Sequence, residues 1–211
     1  MAHLIKYPRT LHLPFSLGRS SDDKVLHSTE HFHGKQVVVT EKMDGENCSI
    51  YRDAIHARSL DSANHPSRAW VKQLQAAIGH DIPADYRLCG ENMYAKHSIA
   101  YNNLPSYFML FSIWDGQNNC LNWDSTEEWA KLLDIETVPV IYRGIYDEDF
   151  LINWYGKNAK NNVEGFVVRL AGSFHYNDFS KSVAKFVRPG HVQPDAKHWQ
   201  TCEIVKNNLK S

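Results

Sequence analysis

The sequence has no apolar run long enough to cross a bilayer as a helix. Its N-terminal stretch, MAHLIKYPRTLHLPF, lacks the basic start and the long apolar segment of a signal peptide. The formal net charge is only −1, so the chain has no overall excess of basic residues of the kind that marks a large non-specific DNA binder. These absences predict a cytoplasmic protein, and they leave room for a local basic groove.

The sequence also lacks any pair of cysteines at the CxxC spacing. Its four cysteines are scattered along the chain, at Cys48, Cys89, Cys120 and Cys202. Zinc knuckles and disulfide frameworks depend on closely spaced or regularly paired cysteines, so neither is indicated. We expect free, buried thiols.

The composition is otherwise that of an ordinary globular protein. Hydrophobic residues make up 43% of the 211 residues and charged residues 22%, which is enough apolar sequence for a core. The sequence contains no repeat, low-complexity tract or obvious linker. We expect an irregular N-terminal segment at 1–34 packed on a main domain at 35–190, followed by a short, helical C-terminal tail at 191–211.

Strand-like stretches outnumber helix-like ones. Strands are predicted in QVVVT, in a hairpin within CSIYRDAIHARS, and in YRLCGENMY, SYFMLFSIWDG, VEGFVVRL and SVAKFVR. Helices are predicted in NHPSRAWVKQLQAAIGH, DSTEEWAKLLD and EDFLINWYG. The first helix should bury Trp70, Leu74, Ala77 and Ile78, and the second should begin with a capping box from Ser125 to Glu128. Because helices and strands do not alternate, the pattern favours an α+β fold with largely antiparallel sheets.

Charged residues lie in or beside several strongly apolar strands. They are Lys42, Glu91, Glu164 and Lys185. A buried charge is costly unless it is paired or faces a ligand, and two structural Lys–Glu pairs would satisfy that condition. A glycine lies close to three of these residues, and glycine in a strand often marks a bulge or a close approach of a ligand. The combination favours strands that line a pocket.

Two lysines and two carboxylates suit phosphate chemistry. A lysine acts as a nucleophile when its amine is neutral, which requires nearby cations, a metal ion or desolvation to lower its pKa. Lys185 would lower the pKa of Lys42 and neutralise a phosphate. Glu91 and Glu164 would hold a magnesium ion directly or through water. Arg58 would bind a phosphate, and an aromatic residue in YFMLF would stack on a base.

The stretch Lys42-Met43-Asp44-Gly45 resembles the KxDG motif of ATP-dependent RNA and DNA ligases and mRNA capping enzymes. Asn47 extends it to the KxDGxN form of RNA ligases, and MYAKHSIAYNNLPSYF is similar to a segment of small bacterial and phage RNA-ligase-like proteins. Five further motifs follow in the family's order: ARS at 57–59, CGEN at 89–92, YFMLFSIWD at 107–115, EGFVVR at 164–169 and AKFVR at 184–188. The resemblance covers roughly residues 35–190.

The resemblance implies a nucleotidyltransferase domain of two largely antiparallel sheets flanked by helices, with the nucleotide between them. It implies three chemical steps: Lys42 takes AMP from ATP, the AMP passes to a 5′-phosphate on RNA, and a 3′-hydroxyl attacks the activated end. The cofactors implied are ATP, with AMP covalently on Lys42, and Mg²⁺ or Mn²⁺. No OB-fold domain is expected, because only about 20 residues follow the last motif, and this counts against a capping enzyme.

The family's residue roles carry over by position in the motifs. Lys42, Glu164 and Lys185 are the implied catalytic residues, with Glu164 and Glu91 at the metal. The implied nucleotide site comprises Glu41, Lys42, Asp44, Asn47, Arg58, Glu91, Phe111, Glu164 and Lys185. Phe108 is the alternative to Phe111 for stacking on adenine, since the two residues cannot share one face of a regular strand.

The sequence departs from the family pattern at two motifs. Ser112 stands where relatives often have aspartate, and the last motif has one lysine, Lys185, where many ligases have two. Arg188 is the candidate replacement for the missing charge, and Lys96 and His97 are candidate contacts to a substrate phosphate.

We therefore expect an ATP-dependent RNA ligase that acts in RNA repair on 5′-phosphate and 3′-hydroxyl ends. A minimal DNA ligase or an enzyme that adenylates nucleic-acid ends is the nearest alternative. A non-catalytic nucleotide- or end-binding module is the alternative of another class.

Overall fold

The computed structural model describes residues 3–61, 64–158, 163–190 and 203–210. Within these residues the strands are β1 Leu11–His12, β2 Gln36–Glu41, β3 Glu46–Ile50, β4 Ile55–Ala57, β5 Arg87–Asn92, β6 Phe108–Trp114, β7 Asn119–Cys120, β8 Glu136–Thr137, β9 Val140–Ile145, β10 Gly165–Leu170, β11 Phe174–His175 and β12 Val183–Val187. The α-helices there are α1 Ala69–Ile78, α2 Trp123–Leu132, α3 Glu148–Asn158 and α4 Phe179–Ser182.

These strands form two sheets. The first sheet has the order β1-β12-β10-β2-β9, and the second has the order β11-β7-β6-β5-β3-β4 with β8 beside β6. Neighbouring strands are antiparallel except for the β1–β12 and β6–β8 pairs. The predicted α+β fold with two largely antiparallel sheets flanked by helices is confirmed.

The valine run of β2 is buried on both faces of the first sheet. Val37 and Val39 pack into a core with Phe166 of β10, while Val38 points the other way and packs with Met109 of the second sheet. All three valines have no exposed surface, because one face of the strand is covered by the second sheet and the other by the N-terminal segment and α3. Because both faces of β2 are buried, its sequence is continuously apolar instead of alternating between apolar and polar residues.

Helix α1 covers the outer face of the second sheet. Val71 is fully buried there and Ile78 nearly so, and both pack with Leu88 and Leu110 of the sheet. The predicted face was wrong at Ala77, which is exposed, and it missed Val71. Trp70 and Leu74 are only partly buried at the edge of this core, so the face of the helix that meets the sheet is rotated toward Val71.

Helix α2 begins two residues before the predicted capping box. Its N-cap is Asn122, whose side chain accepts a hydrogen bond of 2.8 Å from the backbone N–H of Ser125. The capping-box prediction at Ser125 and Glu128 was therefore wrong. Trp123 is the first helical residue and is fully buried. Its burial and the favourable N-cap at Asn122 explain why the helix begins before Ser125.

The N-terminal segment is part of the same core. Strand β1 adds to the edge of the first sheet beside β12, and Leu13 and Phe32 have no exposed surface. No described helix is long and apolar enough to cross a membrane.

The described part of the C-terminal tail is not helical. Residues 203–210 run along the segment that follows β5, with isolated bridges from Ala95 to Lys206 and from Leu104 to Leu209. The helix expected in the tail is wrong for these residues, because Asn207 is buried and its side chain bonds to the backbone of neighbouring segments instead. The rest of that predicted helix lies outside the described residues.

Candidate active site

A cavity of about 230 Å³ lies between the two sheets. Both sheets contribute to it, together with residues from the N-terminal segment. The residues that line it are Tyr7, Pro8, Arg9, Thr10, Asp23, Thr40, Glu41, Lys42, Met43, Asn47, Arg58, Glu91, Phe111, Ser112, Cys120, Val138, Val167, Arg169, Phe174, Val183 and Lys185.

The first sheet brings three neighbouring residues to the cavity in one row. Val167 of β10 pairs with Thr40 of β2 on one side and with Lys185 of β12 on the other. Directly paired residues point to the same face of a sheet, so the three side chains line the cavity together. This register, rather than sequence proximity, places Lys185 near the end of β2.

Lys42 follows the last residue of β2 and pairs with Glu164. The backbone N–H of Lys42 donates to the carbonyl of Gly165 over 3.0 Å, which continues the β2–β10 ladder by one residue. This places the Lys42 Nζ atom 2.8 Å from Oε1 of Glu164, the residue just before β10. The Glu164 side chain is nearly buried, whereas about a quarter of the Lys42 side chain is exposed to the cavity.

The second sheet contributes Asn47 and Glu91 side by side. Asn47 of β3 pairs with Glu91 of β5, and the backbone N–H of Arg58 donates to the carbonyl of Asn47. The three side chains line the cavity opposite Lys42 and Lys185. The KxDGxN, GE and arginine motifs thus meet at one cavity.

A β-bulge separates the two candidate stacking residues. Cys89 pairs with Ser112 and Gly90 pairs with Leu110, so Phe111 is the extra residue on β6. Such a bulge changes the direction of a side chain, and Phe111 lines the cavity together with Ser112. Phe108 is fully buried in the core beneath α1 and does not line the cavity. Of the two candidates, Phe111 is therefore the one that lies at the cavity.

The glycines near the charged residues serve packing between protein segments. A Cβ atom on Gly165 would lie 1.9 Å from the Phe186 carbonyl oxygen, and one on Gly90 would lie 2.4 Å from the Phe108 ring. A Cβ atom on Gly45 would lie 2.6 Å from the Asn92 carbonyl oxygen. The space beside these glycines is therefore taken by protein atoms, and Gly90 also lies at the β-bulge between β5 and β6.

Asp44 of the KxDG motif does not line the cavity. Its Oδ2 atom accepts hydrogen bonds from the backbone N–H groups of Ser98 and Ile99, at 2.8 and 2.6 Å. Its own backbone N–H donates to the Tyr101 hydroxyl. The assignment of Asp44 to the nucleotide site is not supported by this geometry, since the carboxylate holds the segment after β5 in place.

The three candidate substrate contacts do not line the cavity. Lys96 is exposed and His97 is partly buried on the segment held by Asp44. Arg188 lies closer to the site, because its backbone N–H donates to the carbonyl of Glu164 over 2.8 Å. These positions lie outside the cavity described here.

The surroundings shift the pKa values of the two cavity lysines in opposite directions. Burial lowers the pKa of Lys42, but the carboxylates of Glu164 and Glu91 outweigh burial and the pKa is raised overall. Burial and the positive charge of Lys42 lower the pKa of Lys185. The sequence-based expectation that Lys42 has a lowered pKa is wrong for the protein without nucleotide or metal.

Glu91 is the carboxylate most strongly affected by its surroundings. Burial raises its pKa to about 8, and the negative charges of Glu164 and Asp44 act in the same direction. Burial also raises the pKa of Glu41. Crowded carboxylates of this kind gain from a divalent cation, which would offset their repulsion.

The described residues contain no cluster of three or more histidine, cysteine or acidic side chains arranged to hold a metal ion. Glu91 and Glu164 nevertheless fit Mg²⁺ or Mn²⁺, since such ions usually take one or two carboxylates and complete their shell with water and substrate phosphates. Three of the cysteines, Cys48, Cys89 and Cys120, are free and buried, as expected, and Cys202 lies outside the described residues.

Sequence reasoning missed the contribution of the N-terminal segment. Tyr7, Arg9 and Asp23 line the cavity, although the segment was expected only to pack on the domain. Tyr7 packs edge-on against Phe111, with ring centroids 5.2 Å apart. No motif in residues 1–34 signals this, because the contacts depend on where β1 joins the first sheet.

Two sheets that enclose a cavity, with a lysine just after strand β2, form the fold that this chain shares with solved ligase structures. The RNA ligase family matches residues 35–187, which is more than half of the chain. The chain belongs to the RNA ligase family. No curated protein matches the chain in sequence.

Solved structures support the same fold at low sequence identity. An archaeal ATP-dependent RNA ligase matches with a TM-score of 0.60 and 15% identity, over 88% of this chain and 48% of its own. A putative ATP-dependent DNA ligase from Aquifex aeolicus matches with a TM-score of 0.59 and 17% identity, over 88% of this chain and 50% of its own. A lysine mutant of the Naegleria gruberi RNA ligase, solved with AMP and Mn, matches with a TM-score of 0.52 and 18% identity, over 76% of this chain and 52% of its own. The chain thus spans about half the length of each of these proteins.

Proposed function

We propose that the protein is an ATP-dependent RNA ligase that joins a 5′-phosphate to a 3′-hydroxyl through an AMP carried on Lys42. The observation that carries the proposal is the position of Lys42 at the end of β2, in the cavity and within hydrogen-bond distance of Glu164. Membership of the RNA ligase family supports it. Residues 35–190 form the nucleotidyltransferase domain in this proposal, and a cytoplasmic location fits it.

In the first step, the Lys42 amine attacks the α-phosphorus of ATP. An N–P bond forms, the bond from the α-phosphorus to the bridging oxygen breaks, and pyrophosphate leaves with the electron pair. The 5′-phosphate of RNA then displaces Lys42 from the AMP. In the last step, the 3′-hydroxyl attacks the activated phosphate and AMP leaves.

Five further predicted site residues that line the cavity have roles in this scheme. Phe111 stacks on adenine, with Glu41 at the edge of the base pocket. Asn47 and Arg58 bind the ribose and phosphate region, and Lys185 binds the α-phosphate.

Lys42 must lose a proton before it attacks, and its contact with Glu164 opposes that loss. Glu91 and Glu164 would hold Mg²⁺ or Mn²⁺, which when bound neutralises negative charge on the phosphates and carboxylates. With Glu164 engaged in this way, Lys42 loses the partner that keeps it charged. Lys185 then favours the neutral amine through charge repulsion.

The test is the intact mass of the protein after incubation with ATP and Mg²⁺. We expect the wild type to gain the mass of one AMP and Lys42→Ala to gain none. Lys72→Ala is a matched control, since Lys72 lies on α1 and its amine bonds to Asn64 away from the cavity. Labelled protein is then given 5′-phosphorylated RNA or DNA with a 3′-hydroxyl end, nicked or single-stranded.

The outcomes separate the alternatives. Joining of RNA ends supports the RNA ligase, and joining of nicked DNA alone indicates a DNA ligase instead. Transfer of AMP to ends without joining indicates an end-adenylating enzyme. Absence of labelling in folded wild-type protein that carries no AMP from expression overturns the proposal in favour of a non-catalytic nucleotide- or end-binding module.

A further inference from the structure

One wall of the cavity comes from outside the part of the chain that matches the RNA ligase family. The match begins at residue 35, whereas Tyr7, Arg9 and Asp23 line the cavity from the N-terminal segment. The family's own motifs therefore do not account for this wall. It includes one aromatic residue near Phe111 and one cation beside one carboxylate near Lys185.

The wall is fixed in place by backbone pairing on one side and by packing on the other. Strand β1 pairs with β12, and the backbone N–H of Leu13 donates to the carbonyl of Lys185 over 2.8 Å. Tyr7 is nearly buried and contacts the rings of Phe111 and Phe179 edge-on, with centroids 5.2 and 5.3 Å apart. Arg9 lies between these two anchors, so its backbone has a defined position at the cavity.

The Arg9 side chain is only loosely held. Its Nη2 atom donates to the carbonyl of Asp22 over 3.0 Å and lies 3.5 Å from Oδ1 of Asp23. The side chain is 45% exposed, and an ion pair of this length at such exposure contributes little free energy. A guanidinium group held this weakly can exchange its partner for a phosphate at small cost.

Pairwise interactions connect Arg9 to Lys42 through Asp23 and Lys185. Lys42 and Lys185 interact with each other, Lys185 interacts with Asp23, and Asp23 contacts Arg9. Asp23 is ionised, because hydrogen bonds from Ser20 outweigh burial and lower its pKa to about 2. A phosphate chain bound at Lys185 would therefore lie near the negative charge of Asp23, and the Arg9 cation beside Asp23 offsets that charge.

We propose that Arg9 binds the β- and γ-phosphates of ATP and stabilises the pyrophosphate that leaves when Lys42 is adenylated. The inference rests on the proposed function, since it assigns Arg9 to the first step of that reaction. As the bond between the α-phosphorus and the bridging oxygen breaks, the electron pair moves to pyrophosphate, and the positive charge of Arg9 stabilises the negative charge that grows there. Arg9 has no such role after pyrophosphate has left.

The experiment compares Arg9→Ala with the wild type in two separate reactions. The first is the rate of AMP attachment to Lys42 as a function of ATP concentration, followed by intact mass. The second is the joining of RNA whose 5′ end already carries AMP, which needs no ATP. We expect Arg9→Ala to slow the first reaction by about 10-fold to 100-fold, as for loss of one charged phosphate contact, and to leave the second within about twofold.

Two further variants make the comparison specific. Arg19→Ala removes the same charge from the same segment at an exposed site, where Arg19 bonds to the carbonyl of Pro14, and we expect it to match the wild type in both reactions. Arg9→Lys keeps the positive charge but lacks the planar guanidinium group, so we expect its rate of AMP attachment to lie between those of Arg9→Ala and the wild type. Thermal unfolding of each variant checks that the fold is intact.

The reverse reaction gives an independent readout. Protein that already carries AMP on Lys42 releases ATP when pyrophosphate is added, and Arg9→Ala should require a higher pyrophosphate concentration. Equal rates of AMP attachment in wild type and Arg9→Ala would overturn the role of Arg9, and so would equal losses in both reactions of a folded variant. Failure of the wild type to take up AMP would instead overturn the proposed function, so the two failures are distinct.

Discussion

The Lys42 amine and the Glu164 carboxylate form an ion pair of 2.8 Å at the edge of the cavity between the two sheets. The pair results from the β2–β10 register, which continues by one backbone hydrogen bond beyond the end of β2. Because the carboxylate favours the charged amine, the free protein holds Lys42 in the protonated, unreactive form. In the proposed reaction with ATP, this pair must therefore separate before Lys42 attacks.

The first prediction concerns the reactivity of Lys42 in the free protein. Glu164→Gln removes the charge that keeps the amine protonated, so the pKa of Lys42 should fall and acetylation by acetic anhydride near neutral pH should speed up. Since each pKa unit is a factor of ten in the neutral fraction, we expect an increase of about 3-fold to 10-fold. Peptide mass spectrometry measures it at Lys42 and, as an internal control, at exposed Lys96, which should not change.

The second prediction follows from the pKa of about 8 at Glu91. An unfolded chain releases this proton near the ordinary value of 4.5, so the folded protein binds more protons than the unfolded chain between these two values. The contribution of Glu91 to the stability of the folded protein is therefore fully present below pH 4.5, and it is lost as the pH rises through about 8. Glu91→Gln should match the wild type in melting temperature near pH 4.5 and exceed it by roughly 3 °C or more above pH 8.

The wild type and Glu91→Gln also test whether Glu91 holds a divalent cation. Above pH 8, Mg²⁺ should raise the melting temperature of the wild type, because the cation offsets the charge of Glu91, and it should have less effect on Glu91→Gln. Glu128→Gln is the matched control, since Glu128 is exposed on α2. A wild-type melting temperature that rises with pH relative to Glu91→Gln would contradict the pKa assignment.

The third prediction separates the two phenylalanines of β6. Phe111→Ala should weaken binding of a non-hydrolysable ATP analogue by about 5-fold to 100-fold, as for loss of one stacking contact, without loss of the fold. Phe108→Ala should instead destabilise the protein by about 3–5 kcal/mol, because Phe108 is fully buried in the core beneath α1. Calorimetric titration and thermal unfolding measure the two effects. Weaker binding in folded Phe108→Ala with normal binding in Phe111→Ala would reverse the assignment.

Much of the fold and most of the motif residues at the cavity were predictable from the sequence. Strand propensity and turn residues located most of the long strands but missed β9, and the charged residues within the predicted strands pointed to the pocket. The direction of Phe111 was not predictable, since it depends on a bulge that breaks the alternation along β6. Arg9 and Asp23 were also missed, because only the long-range pairing of β1 with β12 brings them to the cavity.

The role of Asp44 shows why a motif does not reveal the geometry of its residues. The sequence places Asp44 two residues after the nucleophile, which suggests a direct contact with the nucleotide. In the structure its carboxylate bonds to the backbone of Ser98 and Ile99, more than fifty residues away along the chain. Spacing alone cannot distinguish a ligand contact from support of a neighbouring loop.

The fourth prediction tests that support. Asp44→Ala removes two charge-assisted hydrogen bonds to the Ser98 and Ile99 amides, so the protein should lose about 1.5–3 kcal/mol of stability. Asp44→Asn keeps a side-chain oxygen and should lose less. Hydrogen exchange at the amides of Ser98 and Ile99 should speed up in Asp44→Ala. Exchange at the β2 amides should change only by the amount that the loss of global stability explains. Unchanged exchange at both loop amides would show that the hydrogen bonds do not hold this segment.

The fifth prediction concerns the buried ion pair between Glu46 and Arg68, which lies between β3 and the start of α1. The Arg68 guanidinium donates from Nε and Nη2 to the two carboxylate oxygens, at 2.8 and 2.5 Å, and both side chains are almost fully buried. Because neither residue lines the cavity, we assign the pair to the fold rather than to the reaction. Glu46→Ala leaves the guanidinium buried without its carboxylate, so the free energy of unfolding should fall by about 3–5 kcal/mol.

The double variant Glu46→Leu with Arg68→Met distinguishes the cost of an unpaired charge from the value of the pair. It leaves no buried charge, and replacement of a buried pair by apolar side chains is often neutral, so most of the lost stability should return. Denaturant unfolding of the single and double variants measures this, and AMP attachment to Lys42 should persist in the folded double variant. A double variant as unstable as Glu46→Ala would mean that the bidentate pair itself stabilises the junction between β3 and α1.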